Sequence, residues 1–365
     1  MKQVVQFVPT PGGRVAYSVL GSGPPLVCLF GWVSHLGLMW DLPQYRQFVE
    51  ALAREHTVIR YDRLGCGLSD RAGQADCLES ELDVLRALVT HLGLRRFGLF
   101  GSCDGGQVAA AYAAAATDEV SALLLYGSCA RGADLAPEPV RRSVLEMVRA
   151  HWGLGSRVLS DIWLPDAPAS TIDWFARFQR AAADGATAAA LLDLFYRMDV
   201  TASLSKVRAP TLVVHRRHSR AVRFELGRRL ASLIPGAQMS ALDGRMQAIY
   251  AEGGQEGAAV VSTFFDAHAE QPEPAAEPAR PDPAGRPLTG REREVVAHLI
   301  SGSTNVEIGR ALGVSVRTVD AHVEHVRAKL GLRTRTQIAV WGSRHGLGSF
   351  PAVAAGPGGT RSASR

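Results

Sequence analysis

Residues 269–287 read AEQPEPAAEPARPDPAGRP, and this stretch rules out a single continuous fold. Pro272, Pro274, Pro278, Pro281, Pro283 and Pro287 exclude helix, and no large apolar side chain is present to join a core. The segment reads as a semi-extended linker, so the chain on either side must bury a core of its own. Charge divides at the same place. Residues 1–270 carry 27 Lys+Arg against 27 Asp+Glu, whereas residues 288–365 carry 11 against 5. A neutral large part joined to a basic small part assigns any contact with nucleic acid to the C-terminal end. The tail from 347 to 365, ending AAGPGGTRSASR, lacks the apolar residues of a packed element and is expected to be disordered.

The rest of the composition narrows the class. No apolar run approaches the roughly 18 residues of a membrane span, so no membrane partner is expected. The opening MKQVVQFVPT has no signal-peptide core, and a cytoplasmic location follows as the expectation. Cys28, Cys66, Cys77, Cys103 and Cys129 are odd in number and scattered, without a CxxC pair. That pattern argues against a disulfide framework and against a zinc site, and no cofactor is expected.

Within residues 1–268, short apolar runs alternate with helical segments. The strand candidates are Pro25–Phe30, His56–Asp62, Arg96–Gly101, Ser121–Gly127, Pro210–His215 and Ala237–Leu242, with a helix such as Ser80–Leu94 between them. Continuously apolar strands separated by helices imply a mostly parallel sheet covered on both faces. From about 137 to 207 the pattern becomes helical only and holds Trp152, Trp163, Trp174, Phe175, Phe178, Phe195 and Tyr196. After the third of these strands comes Gly101-Ser102-Cys103-Asp104-Gly105, the Gly-x-nucleophile-x-Gly spacing of a sharp strand-to-helix turn.

The order of these elements, over about Val4 to Ala267, resembles the α/β-hydrolase fold with a helical cap. Gly31–Asp41 looks like its oxyanion loop. Tyr61–Arg71 is similar to its D-x-R-G-x-G-x-S run, with Leu64 in place of arginine. Pro210–Val222 and Leu242–Gln247 look like the segments that deliver the triad acid and histidine. By position the resemblance assigns the nucleophile to Cys103, the acid to Ser219 and the base to Gln247. A carboxamide accepts no proton at neutral pH, and a hydroxyl cannot balance an imidazolium. No catalytic residue is therefore expected at these degenerate positions, with His35, His215, His218 and Asp134 the candidates for rescue. Cys103 itself is open to three readings: a small apolar residue at a tight turn, a ligand contact, or a redox or covalent centre. What survives is a pocket at the strand ends, with Gly31, Trp32, Ser102, Cys103, Asp104, Ser219, Gln247, Trp163 and Trp174 as candidate ligand contacts. The aromatic cap favours an apolar or aromatic small molecule, although each aromatic taken singly could equally be core.

Residues Leu288–Gly346 carry the densest motif. Thr289 is a plausible N-cap with Glu292 three residues on, and Val295, Val296, Leu299 and Ile300 share one helix face. Asn305–Leu312 predicts a second helix with Ile308 and Leu312 inward, Gly313 a turn, and Ser315 the cap of a third helix reaching about Leu330. Val316, Val319, Val323, Val326 and Leu330 lie at helical spacing along it. Helix, glycine turn, helix is a helix-turn-helix. The stretch closely resembles the LuxR-type DNA-binding domain. The resemblance implies that Asn305–Glu324 is the helix-turn-helix proper and that Val316 to Arg327 enters the major groove of double-stranded DNA. Candidate DNA contacts are Asn305, Val316, Arg317, Thr318, Asp320, His322, Arg327, Lys329, Arg333 and Arg335. Asp320 departs from a basic preference and would either read a cytosine amino group or face solvent. A final helix over Thr336–Ser343, with Ile338, Ala339 and Trp341, either pairs two copies on DNA or completes an internal core.

Together these features predict a DNA-binding transcriptional regulator, homodimeric on DNA, whose hydrolase-like domain senses a small molecule. The rival readings are an active cysteine hydrolase or acyl-transfer enzyme fused to a DNA-binding domain, a thiol redox sensor at Cys103, and a constitutive DNA binder.

Overall fold

In the computed structural model, residues 1–71, 76–269, 288–330, 335–345 and 347 are described. The expectations for residues 270–287, 331–334 (among them Arg333), 346 and 348–365 lie outside the described residues. The chain separates into two compact units, Met1–Pro272 and Glu273–Arg365.

The first unit is an eight-stranded sheet. Its strands are β1 (Val5–Thr10), β2 (Gly13–Leu20), β3 (Pro25–Leu29), β4 (Thr57–Tyr61), β5 (Phe97–Ser102), β6 (Val120–Tyr126), β7 (Thr211–Arg216) and β8 (Gln238–Leu242). They lie in the order β1-β2-β4-β3-β5-β6-β7-β8. The pairings from β4 to β8 are parallel, as the unbroken apolar runs imply. The hairpin β1–β2 and its antiparallel join to β4 were not evident in the sequence: β1 is mostly exposed, and the buried stretch of β2 from Val15 ends on the polar Ser18. Each face of the sheet buries its own apolar cluster, one around Leu85, Leu99 and Leu123, the other around Phe48, Phe100 and Leu124.

Helices Glu138–Ala150, Trp152–Trp163, Ala169–Ala182, Gly185–Arg197 and Thr201–Leu204 fill the interval between β6 and β7. Every aromatic in this block lies in or against the core cluster, and Trp174 stacks on Phe178 with ring centres 5.5 Å apart. Packing therefore accounts for most of this aromatic content.

The second unit holds helices Gly290–Ile300, Asn305–Leu312, Val316–Leu330 and Arg335–Arg344. The first begins with the capping box expected from Thr289 and Glu292, and Thr304 with Glu307 forms another at the second. Gly313 ends the second helix at φ +65°, a left-handed conformation that glycine adopts without steric cost. Val295, Val296, Ile308, Val319, Val326 and Ile338 form the core. One expectation fails within the third helix. Val316, at the spacing of the inward stripe, is 42 % exposed, whereas Val314 before it and Val319 after it pack into the core. Ile338 is buried in this core and Trp341 packs against it, so the last helix has an internal packing role.

Candidate functional site

The turn after β5 is built as its glycines require. Cys103 sits at φ +57°, a conformation costly for any residue with a Cβ, and the helix Asp104–Ala115 starts immediately after it. A side chain on Gly101 would meet Ala109 and Gly106, and one on Gly105 would strike Leu29, so the flanking glycines let strand and helix close together. In the run Tyr61–Arg71, the Asp62 carboxylate accepts from the Leu36 and Leu68 amides at 2.9 Å each. It pins the loop after β4 to the loop after β3.

The geometry around Cys103 is not that of an open catalytic centre. In the fold implied by the sequence, the Trp32 amide would donate to a developing oxyanion. Here that amide donates to Asp104 Oδ1 at 2.8 Å, so the position is filled by the protein's own carboxylate. Trp32 holds its position at φ +50°, and Gly31 is in such close contact with Asp104 and Ser102 that a Cβ could not fit. Arg63 completes the plug. Its guanidinium bonds Asp104 Oδ2 and Glu81 and also reaches the Trp32 carbonyl at 3.1 Å. All three ionised side chains are buried, and a buried carboxylate is retained only where cations and N–H donors compensate it.

The other triad positions are closed in the same way. Ser219, after β7, and Gln247, after β8, are brought together, with Ser219 Oγ donating to Gln247 Oε1 at 2.8 Å. Gln247 Nε2 donates to the Gly127 carbonyl at 2.7 Å, so both ends of the amide are bonded to the protein. Cys103 is 1 % exposed, and burial, with the adjacent Asp104 carboxylate, pushes its thiol well above the ordinary range. The candidate rescuers stand in other surroundings. His215 is buried with Nε2 2.7 Å from the Val222 carbonyl, and burial lowers its pKa. His218 is exposed, Asp134 pairs with Arg229, and His35 Nδ1 caps the helix Leu36–Asp41 by accepting from Leu38.

A cavity of about 60 Å³ remains beside this turn. Gly31, Trp32, Ser102, Gln247 and Trp163 line it, as the sequence suggested. Cys103, Asp104 and Ser219 do not reach its wall, and Trp174 instead lines a neighbouring groove of about 390 Å³. The sequence reading missed Arg60, Tyr45, Asp62 and Tyr250 in the cavity wall. Arg60 carried a usable signal, since a charged residue inside the apolar run of a central strand needs a reason to be there.

In the second unit, Arg317 and Thr318 are exposed at the start of the third helix, beside Val316, and His322 is half-buried on it. Asp320 has a partner that the sequence did not reveal: it accepts from Asn305 Nδ2 at 2.6 Å, while Arg335 donates to Asn305 Oδ1 at 3.0 Å. Arg327 bonds Glu324. Lys329 is drawn inward, its Nζ 2.7 Å from the buried Glu292 carboxylate, so it ties the third helix to the first.

Comparison with known proteins follows the same division. Residues 24–152 match the model described as alpha/beta hydrolase fold, and residues 286–341 match that of bacterial regulatory proteins, luxR family. The chain is 28% identical over 268 residues to polyketide synthase ThaQ of Burkholderia thailandensis, a match covering 72% of this chain and 13% of that protein. It is 35% identical over 114 residues to a soluble epoxide hydrolase of Corynebacterium, covering 31% of this chain and 38% of the relative. It is also 40% identical over 60 residues to transcriptional regulatory protein LiaR of Bacillus subtilis, covering 16% and 28% respectively. The chain thus spans well under half the length of these relatives. Among solved structures, an esterase from Exiguobacterium antarcticum superposes with a TM-score of 0.65 at 18% identity, over 72% of this chain and all of that one. At that identity the likeness concerns the fold.

Proposed function

From a chain that joins an α/β-hydrolase-fold domain to a LuxR-family regulator domain, we propose a DNA-binding transcriptional regulator whose hydrolase-fold domain binds a small molecule without turning it over. One observation carries the non-catalytic half of this reading. The Trp32 amide, the donor an acyl-transfer transition state would need, is held by the Asp104 carboxylate. An oxyanion forming there would meet a negative charge. The engaged Ser219–Gln247 pair and the protonated Cys103 thiol support the same conclusion. They also weigh against a thiol redox sensor, which needs an accessible thiolate. DNA binding rests on the luxR-family match and on the exposed Arg317 and Thr318 at the helix start.

A ligand acts on such a regulator only through a difference in affinity between its two functional states, for example monomer and DNA-bound homodimer. The test pairs two assays on the full chain. p-Nitrophenyl acetate should be hydrolysed no faster by the protein than by its Cys103→Ala variant, and the protein should retard duplex DNA. Saturable hydrolysis lost on Cys103→Ala would overturn the reading.

A further inference from the structure

The cavity beside the closed turn holds one buried arginine among hydroxyl, amide, aromatic and apolar groups. Arg60, on β4, is 1 % exposed and lines it. Among the described residues its guanidinium bonds neutral groups only: the Tyr45 hydroxyl at 3.1 Å, Ser18 Oγ at 3.0 Å and Gln3 Oε1 at 2.5 Å. The rings of Trp40 and Tyr45 lie 5.0 and 5.5 Å from it. Arg60 Nε is buried without an acceptor, and so is the indole N–H of Trp32, which lines the same space. The one carboxylate in the wall, Asp62, is turned to the Leu36 and Leu68 amides and forms no ion pair with Arg60 among the described residues. Gln247 Oε1 is taken by Ser219.

A guanidinium cannot shed its proton to relieve burial, and a buried charge without a counter-charge is costly. The wall beyond it is apolar and aromatic, formed by Trp163, Phe175 and Phe178. One water needs roughly 10–15 Å³ on this measure, so about 60 Å³ holds a carboxylate and a chain of a few carbons. We propose that this cavity is a binding site for a short-chain monocarboxylate, its carboxylate on Arg60 and its chain against the cap aromatics. The proposal rests on the ligand-binding reading above and names the chemistry of the ligand. It narrows the expected apolar or aromatic molecule, since about 60 Å³ is less than half the roughly 150 Å³ of an apolar cavity that takes up benzene.

The test uses the full chain, with sodium butyrate and its neutral isostere butyramide as probes. Tryptophan fluorescence is the readout, because Trp32 and Trp163 stand in the cavity wall. Butyrate should bind saturably and about tenfold more tightly than butyramide, because a charged acceptor strengthens the bonds it receives. Arg60→Met should erase that preference, bringing butyrate affinity down to that of butyramide, and Arg60→Lys should keep part of it. If Arg60→Met fails to fold, the wild-type pair and Arg60→Lys decide. Equal binding of the two probes, or binding of neither, overturns the carboxylate assignment. The sensing reading fails separately, through ester turnover that depends on Cys103, whatever butyrate does.

Discussion

At the scale of single residues, the proposed function turns on Asp104, immediately after Cys103. A reader of the sequence sees the missing histidine and acid at Gln247 and Ser219, but not that the next residue folds back to occupy the Trp32 amide. That bond depends on Arg63, some forty residues earlier in the chain, and no local pattern announces it. The consequence can be measured. Installing a nucleophile, acid and base together, as Cys103→Ser, Ser219→Asp and Gln247→His, should yield no esterase activity above background. Adding Asp104→Ala frees the amide, and the quadruple variant should exceed the triple by about 10²-fold in p-nitrophenyl acetate turnover, the usual worth of one such donor. A second outcome concerns the thiol itself. With Cys103 buried and its pKa raised, iodoacetamide at pH 7.5 should label it roughly 100-fold more slowly than the partly exposed Cys77, as followed by peptide mass spectrometry.

At the scale of elements, helix starts and central strands were the legible parts. Thr289 and Glu292 stand at capping-box spacing, and the structure forms that box. Thr289→Ala should cost about 1 kcal/mol, read as faster amide exchange in the first turn of the helix Gly290–Ile300. Burial opposes ionisation of Glu292, but Lys329 and the Thr289 amide outweigh it and hold the carboxyl below the usual glutamate range. Since the folded value is the depressed one, this stabilisation is complete above the ordinary pKa and disappears as pH falls through the folded value. Protection of those amides should therefore weaken on acidification below about pH 4.3, and Glu292→Gln should flatten the dependence. The hairpin β1–β2 escaped notice because β1 is mostly exposed and Ser18 interrupts the apolar residues of β2. The cavity wall escaped for a different reason. Arg60, Tyr45 and Tyr250 meet only after β4, the helix Pro43–Leu52 and the segment following β8 come together, and such pairing is a property of the topology.

At the scale of the whole molecule, the charge division becomes a statement about energy. Residues 1–270 balance 27 basic against 27 acidic side chains, so that part adds little to the release of counterions from DNA. The salt dependence of DNA binding should therefore belong to the C-terminal unit. Two substitutions there separate phosphate contact from scaffolding. Arg317→Ala should lower the slope of log K against log salt by about 1, because an exposed cation at the helix start is free to reach a phosphate. Lys329→Ala should leave the slope unchanged and instead reduce stability, since its ammonium is committed to Glu292. Removing residues 1–270 extends the same logic. If the neutral unit acts through its ligand, and both forms bind DNA as dimers, its loss changes affinity by the same factor at every salt concentration, and the two lines run parallel. Convergence of the lines at high salt would mean that the larger unit itself touches the phosphates, and the division of labour read from the charges would be wrong.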